Sequence, residues 1–347
     1  MKTIHTILKR TALAAIVPIV GLASLSAHAQ TTTLRAQTGA PGSSTFTFVT
    51  AVQTLLQKHL PLQINVTSGQ AATRSTLDAA RGNTDLFTSA PSINQYMGKG
   101  TNMFKDMKGA PELFNNNVRG ILNHPLGPYH IITYADSGIK ELKDIKGKKL
   151  FIGPPGGAAT VVGLAIIEGT TGYKPGVDYE QAKLDWTSGG QAFQDRQVDL
   201  AIIPTLMPSP QISQYALLDK IRMIGIPDEA FKTEPMKKIL SIPGRTISEI
   251  PADAYGPNQV NTEAVKAVGS WVGLSTRIGM SEDQIYQITK AIFENIKEIH
   301  DTAPFLKLFT LDSALNEMNG YLHVGALKYY REIGVKVDPA LIPPEAK

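Results

Sequence analysis

The chain reads as an α/β protein of two similar lobes, each a mostly parallel sheet flanked by helices, with a cleft between them. Three observations predict this fold class. Short apolar strands alternate with helical patterns along most of the sequence. A strand, a glycine-rich loop and a helix follow one another twice. The order of elements in the first half also returns, more weakly, in the second.

The first strand–loop–helix unit is a strand over residues 34–37, the loop Thr38-Gly39-Ala40-Pro41-Gly42-Ser43-Ser44-Thr45, and a helix over 46–59. The second follows a basic turn over 146–149. A strand over 150–152 runs into Gly153-Pro154-Pro155-Gly156-Gly157, and a helix follows whose apolar side carries Val161, Val162, Leu164, Ala165, Ile166 and Ile167. The first turn of such a helix has N–H groups without intrahelical acceptors, and its dipole favours an anion. Glycine lets a ligand approach the backbone. Two such loops point to two lobes closing on one small ligand.

The echo of the first half lies in matching runs of elements. Residues 62–66 read as a strand, Thr67-Ser68-Gly69-Gln70 as a turn, then a helix to Arg81 and a strand over 85–89. Residues 183–186 read as a strand, Thr187-Ser188-Gly189-Gly190 as a turn, then a short helix to Arg196 and a strand over 199–205. Strands over 118–123 and 129–134 are separated by His124-Pro125-Leu126-Gly127-Pro128, which suits a hinge or crossover. Residues 243–257 are rich in turn formers, and 265–275 read as a strand crossing back. A helix starts after the N-cap Ser281, with Glu282 and Asp283 in its first turn and a stripe of Ile285, Ile288, Ile292, Phe293, Ile296 and Ile299. A last helix covers 324–333. The expected division is a leader over 1–29, lobe one over 31–125 plus 255–347, and lobe two over 126–254.

The leader has Lys2, Lys9 and Arg10 before an apolar run over 11–25, then Ala27-His28-Ala29. That is the pattern of a secretory signal cleaved after Ala29. The run is shorter than the roughly 20 residues a membrane span needs. The sequence has no cysteine, which excludes disulfides, a lipid-modified anchor, thiol catalysis and thiolate metal sites. Export without disulfides fits the bacterial periplasm. The leader holds three of the 34 basic residues, so 31 face 30 acidic ones in the remainder. That balance argues against nucleic acid as a partner.

The five histidines outside the leader (His59, His124, His130, His300, His323) have no metal-ligand spacing. No GxSxG elbow, phosphate-binding lysine loop or EF-hand is present. Neither a catalytic residue, a metal nor a cofactor is expected. The candidate ligand contacts are instead the loops at strand C-termini, where open α/β sheets bind. They are Gly39, Gly42, Ser43, Ser44 and Thr45; Thr67 and Ser68; Thr88 and Ser89; Gly156, Gly157, Ala158 and Thr160; Trp186 and Thr187; and Thr205, Met207 and Ser209. Each loop is equally open to plain turn chemistry. Arg74 is the nearest cation. It is either a solvated helix residue or a bidentate partner for a ligand carboxylate.

KELKDIKGKKLFIGPPGGAAT closely resembles the second-lobe signature of type II periplasmic binding proteins. Together with TGAPGSSTF, SEDQIYQITKAIFEN and NGYLHVGALKYYREIGV, it resembles the TAXI family of TRAP-transporter solute receptors. That resemblance implies a two-lobed periplasmic receptor, monomeric and not an enzyme. It would capture a small-molecule solute, an organic carboxylate or amino acid, and deliver it to a TRAP-type membrane permease. It implies ligand contact at residues 39–45 and 156–160. The chain departs from the family in having Ala40-Pro41 and Phe46 in the first loop, Ala158-Ala159 where a hydroxyl is usual, and Val324 where proline is common. A receptor for an ATP-driven importer and an exported enzyme of the same fold are the rival readings.

Overall fold

Residues 31–346 are described by a computed structural model. The leader and its cleavage site lie outside the described residues. In chain order the elements are β1 (Thr32–Gln37), α1 (Ser44–His59), β2 (Leu62–Thr67), α2 (Ala72–Ala80), β3 (Leu86–Ser89), α3 (Pro91–Lys99), α4 (Ala110–Asn117), β4 (Val118–Tyr134), β5 (Lys149–Phe151), α5 (Ala158–Thr171) and β6 (Glu180–Gln181). There follow α6 (Trp186–Gln194), β7 (Leu200–Pro204), α7 (Pro210–Leu218), β8 (Ile221–Met223), α8 (Glu234–Leu240), β9 (Arg245–Ile250), β10 (Val265–Arg277), α9 (Glu282–Glu294), α10 (Ile296–Thr302) and α11 (Val324–Glu332).

The strands form one sheet in the order β2-β1-β3-β10-β4-β7-β5-β6, with β8 beside β4 and β9 beside β10. β1, β2 and β3 are parallel, as are β5, β6 and β7. Two long antiparallel strands join these halves. β4 pairs β10 over its first part and β7 and β8 over its last. Apolar cores lie on both faces. One gathers α1, α9 and α11 on the first half. Another runs from α3 and α4 across to α5 and α8, and a third packs α6 and α7 on the second half. This is a mixed α/β architecture with helices flanking a central sheet. Among the described residues no helix is long and apolar enough to cross a membrane.

Local chemistry explains where several elements begin. Ser281 Oγ accepts the N–H of Gln284 at 3.2 Å and starts α9, whose Ile285, Ile288 and Ile292 are buried. The apolar stripe continues past Asn295, but there the chain breaks into the separate α10.

Three expectations are corrected. Residues 183–186 are not a strand. The pairing strand ends at Gln181, and Asp185 Oδ1 accepts the N–H of Ser188 at 2.7 Å, so a helix begins at Trp186. Thr187-Ser188-Gly189-Gly190 is therefore helical, whereas Thr67 ends β2 and Ser68-Gly69-Gln70 leave it as a loop. An added Cβ at Gly189 would strike the Phe151 ring, so that glycine serves close packing and not a turn. Residues 124–128 do not separate two strands, because β4 passes through them unbroken and crosses there from β10 to β7. Its prolines are tolerated because the β10 register shifts between Ser270 and Trp271, opposite Leu126. Finally, the turn-rich stretch 243–257 contains β9, a strand along the first part of β10.

Candidate ligand-binding site

The chain from β1, β3, β5 and β7 opens at the strands' C-terminal ends onto one cleft. Gly39, Ser43 and Thr45 line it after β1, and Thr88 and Ala90 at the end of β3. Pro154, Gly157 and Ala158 follow β5, and Ile203 and Pro204 end β7. The cleft is open to one side, with a volume of about 100 Å³. An apolar cavity of about 150 Å³ takes a benzene-sized guest, so the space suits a small solute.

Helix N-termini ring this cleft. Ala71 before α2, Ala90 before α3 and Gly157 before α5 all lack a side-chain cap. In α5, helical geometry leaves the N–H groups of Ala158, Ala159 and Thr160 without intrahelical acceptors. The small side chains there keep the backbone approachable. Gly153 reaches this turn through φ +107°, a conformation glycine permits.

The charge in the cleft comes from Arg245, the first residue of β9. It is 8% exposed and, among the described residues, has no carboxylate within ion-pair distance. One terminal nitrogen donates to Ser92 Oγ at 2.9 Å and the other reaches the Gly244 carbonyl at 3.4 Å, while Nε has no acceptor there. The guanidinium carbon lies 5.4 Å from the centre of the Tyr129 ring. Burial pushes the Tyr129 phenol up, against the opposing pull of Arg245, so it stays neutral. Gly244 fixes the start of the strand: its N–H donates to Glu317 at 2.6 Å and its carbonyl accepts from Trp271 N–H at 3.0 Å. A buried guanidinium lacking an anion is costly, so the site is electrostatically incomplete.

Of the ligand contacts expected from the sequence, the lining brings together Gly39, Ser43, Thr45, Thr88, Gly157, Ala158 and Trp186. The others sit elsewhere. Ser44 Oγ accepts from Thr205 Oγ1 and Leu206 N–H, both at 3.3 Å, and ties the two halves together. Gly156 does so through its carbonyl, which accepts from Thr73 Oγ1 at 3.1 Å. Gly42 lies near Gln211, and Gly69 faces Thr187. The Thr67 carbonyl accepts from Thr38 N–H, and Ser68 follows in the loop. Ser89 Oγ bonds Ser275 Oγ at 2.6 Å. Thr160 Oγ1 donates to the Pro154 carbonyl at 2.6 Å. Met207 packs on the core of the second half, and Ser209 is buried beside Tyr255, with its N–H on the phenol at 3.3 Å. Arg74 points to solvent and pairs with Asp78 at 3.0 Å.

Sequence reasoning missed Arg245, Tyr129, Trp271 and Gln211. No apolar alternation marks β9, whose Ile247 is exposed, so nothing local singled out its arginine.

The sequence profile of the NMT1-like family matches residues 37–334. Among solved structures, the chain is similar to the periplasmic binding protein BugD, at 15% identity and a TM-score of 0.54. That match covers 88% of this chain and 93% of the other. It is also similar to a structure described as a periplasmic transporter, at 17% identity and a TM-score of 0.50, covering 89% and 95%. At such identities the likeness shows a shared fold, a mixed α/β one with helices flanking a central sheet.

Proposed function

The chain belongs to the NMT1-like family, and from that premise we propose that it is a periplasmic receptor for a small organic carboxylate. In this reading it captures the solute in the cleft between residues 31–125 plus 255–347 and residues 126–254. It then delivers the solute to a TRAP-type permease, works as a monomer without catalysis, and is exported with cleavage after Ala29. One observation carries the ligand class: Arg245 is buried at the cleft with no anionic partner among the described residues, facing helix N-termini that also favour negative charge. The permease type rests on the closing block NGYLHVGALKYYREIGV and its resemblance to TAXI receptors.

A micromolar affinity needs about 8 kcal/mol. Charge-assisted hydrogen bonds supply about 1.5–3 kcal/mol each, so two or three of them with apolar contact suffice. Isothermal titration of the full chain against carboxylates, uncharged solutes and cations tests the reading. Saturable one-to-one binding of a carboxylate is expected. Binding restricted to uncharged or cationic solutes would overturn it.

A further inference from the structure

The cleft wall holds one charged side chain and a large apolar surface. Apart from Arg245, no Asp, Glu, Lys, Arg or His among the described residues lines it. Its other polar side chains are uncharged: Ser43, Thr45, Gln70, Thr88, Tyr129 and Gln211. The remaining wall is Leu126, Trp186, Ile203, Trp271, Val272 and a set of glycines, alanines and prolines.

Each possible ligand charge can be set against this wall. One carboxylate pairs with Arg245 and relieves its unpartnered burial. A second carboxylate would find only helix N-termini, whose favourable effect on an anion is smaller than the cost of stripping water from the ion. An ammonium group would be worse placed. It would lose its water, find no carboxylate, and sit among the positive ends of α2, α3 and α5. The indoles and aliphatic groups, by contrast, gain from an apolar body that covers them. We propose, resting on the organic-anion reading above, that the solute is a monoanion with an apolar body and no cationic group. Amino acids and dicarboxylates would then be poor ligands.

The protein carries its own probe, since its only two tryptophans, Trp186 and Trp271, both line the cleft. Tryptophan fluorescence and calorimetry on the full chain, refolded free of carried-over solute, should compare matched compounds. 3-Methylbutanoate and phenylacetate are the monoanions. Valine and phenylglycine add only an ammonium group, succinate is a dianion, and 3-methylbutanamide removes the charge. The monoanions should bind at least tenfold tighter than their amino counterparts and than succinate, and shift tryptophan emission. Valine, phenylglycine or succinate binding as tightly as the monoanions would overturn this inference and leave the anion receptor intact. The amide binding as well as the acid would overturn the anion reading itself. Silence from a panel of straight, branched and aromatic monocarboxylates at millimolar concentration would also overturn the inference. A co-purified solute bearing an amine, seen by native mass spectrometry, would do the same.

Discussion

At the start of α1, Ser43 Oγ accepts the N–H of Phe46 at 3.2 Å, donates to the Ala40 carbonyl at 2.6 Å and meets Thr45 Oγ1 at 3.0 Å. Next to it Ser44 Oγ is committed to Thr205 and Leu206. At the start of α5 the corresponding position is Gly157, with no side chain to cap anything. Both loops join a parallel strand to a helix at the cleft, so pattern alone does not separate them. The difference is in where the polar groups go. Hydroxyls in the first loop satisfy the fold, while glycine in the second leaves backbone donors open. In the proposed reading, the loop rich in serine and threonine is thus a closed device, the barer loop is the receptive one, and Arg245 supplies the charge that completes it.

The largest effect should come from Arg245. In Arg245→Gln the ligand's carboxylate loses its ionic partner in a buried site, which costs about 2–5 kcal/mol. Affinity should fall by roughly two orders of magnitude or more by calorimetry. The empty protein should keep its thermal midpoint or gain a little, because the guanidinium has no acid partner to lose among the described residues. Affinity within threefold of the wild type would place the anion at the helix N-termini alone.

A matched pair of substitutions then breaks the comparison between loops. Gly157 has φ −85°, open to any L-residue, but an added Cβ would approach the Pro154 carbonyl at 3.0 Å. Gly157→Val should therefore lower affinity at least tenfold by crowding the α5 N-terminus, with the thermal midpoint within a few degrees. Ser43→Ala should do the reverse. It removes an N-cap worth about 1 kcal/mol of stability, with affinity changed less than about threefold. If Ser43→Ala weakens binding more than Gly157→Val, the assignment of the two loops is the wrong way round.

What the sequence disclosed depended on distance along the chain. The N-cap Ser281 and the α9 stripe are local and were legible, as were both strand–loop–helix units. The start of α6 was equally local, since Asp185 stands ready to cap Ser188. Reading Thr187-Ser188-Gly189 as a turn hid it, because a glycine placed for packing against Phe151 looks the same as one placed for a turn. Arg245 was not legible. Its place is fixed by Gly244 bonding to Glu317 and Trp271, contacts that exist only after the chain has folded back. For the same reason Ser44 and Arg74 looked available, when their partners Thr205 and Asp78 occupy them.

The smallest effect concerns pH, and it tests whether both regions act through groups that do not titrate. The receptive loop offers backbone N–H groups, and a guanidinium cannot lose its proton in a protein. Tyr129 stays neutral because burial raises its phenol. Affinity for an anion should therefore be flat from about pH 6 to 9. Stability should not be flat. His124, packed at a tilt against the Phe48 ring of α1, and His130, bonded to Tyr255, are each held down to about 4 by burial. An unfolded histidine titrates near 6.5. Above that value both states are neutral and the full stability is present. As the pH falls from about 6.5 toward 4, the unfolded chain takes up protons that the folded one excludes, and stability is lost across that window. Thermal midpoints measured against pH should decline there, and His124→Asn should reduce the slope. An affinity that falls with a midpoint near pH 6, at constant thermal midpoint, would instead show a histidine reaching the ligand.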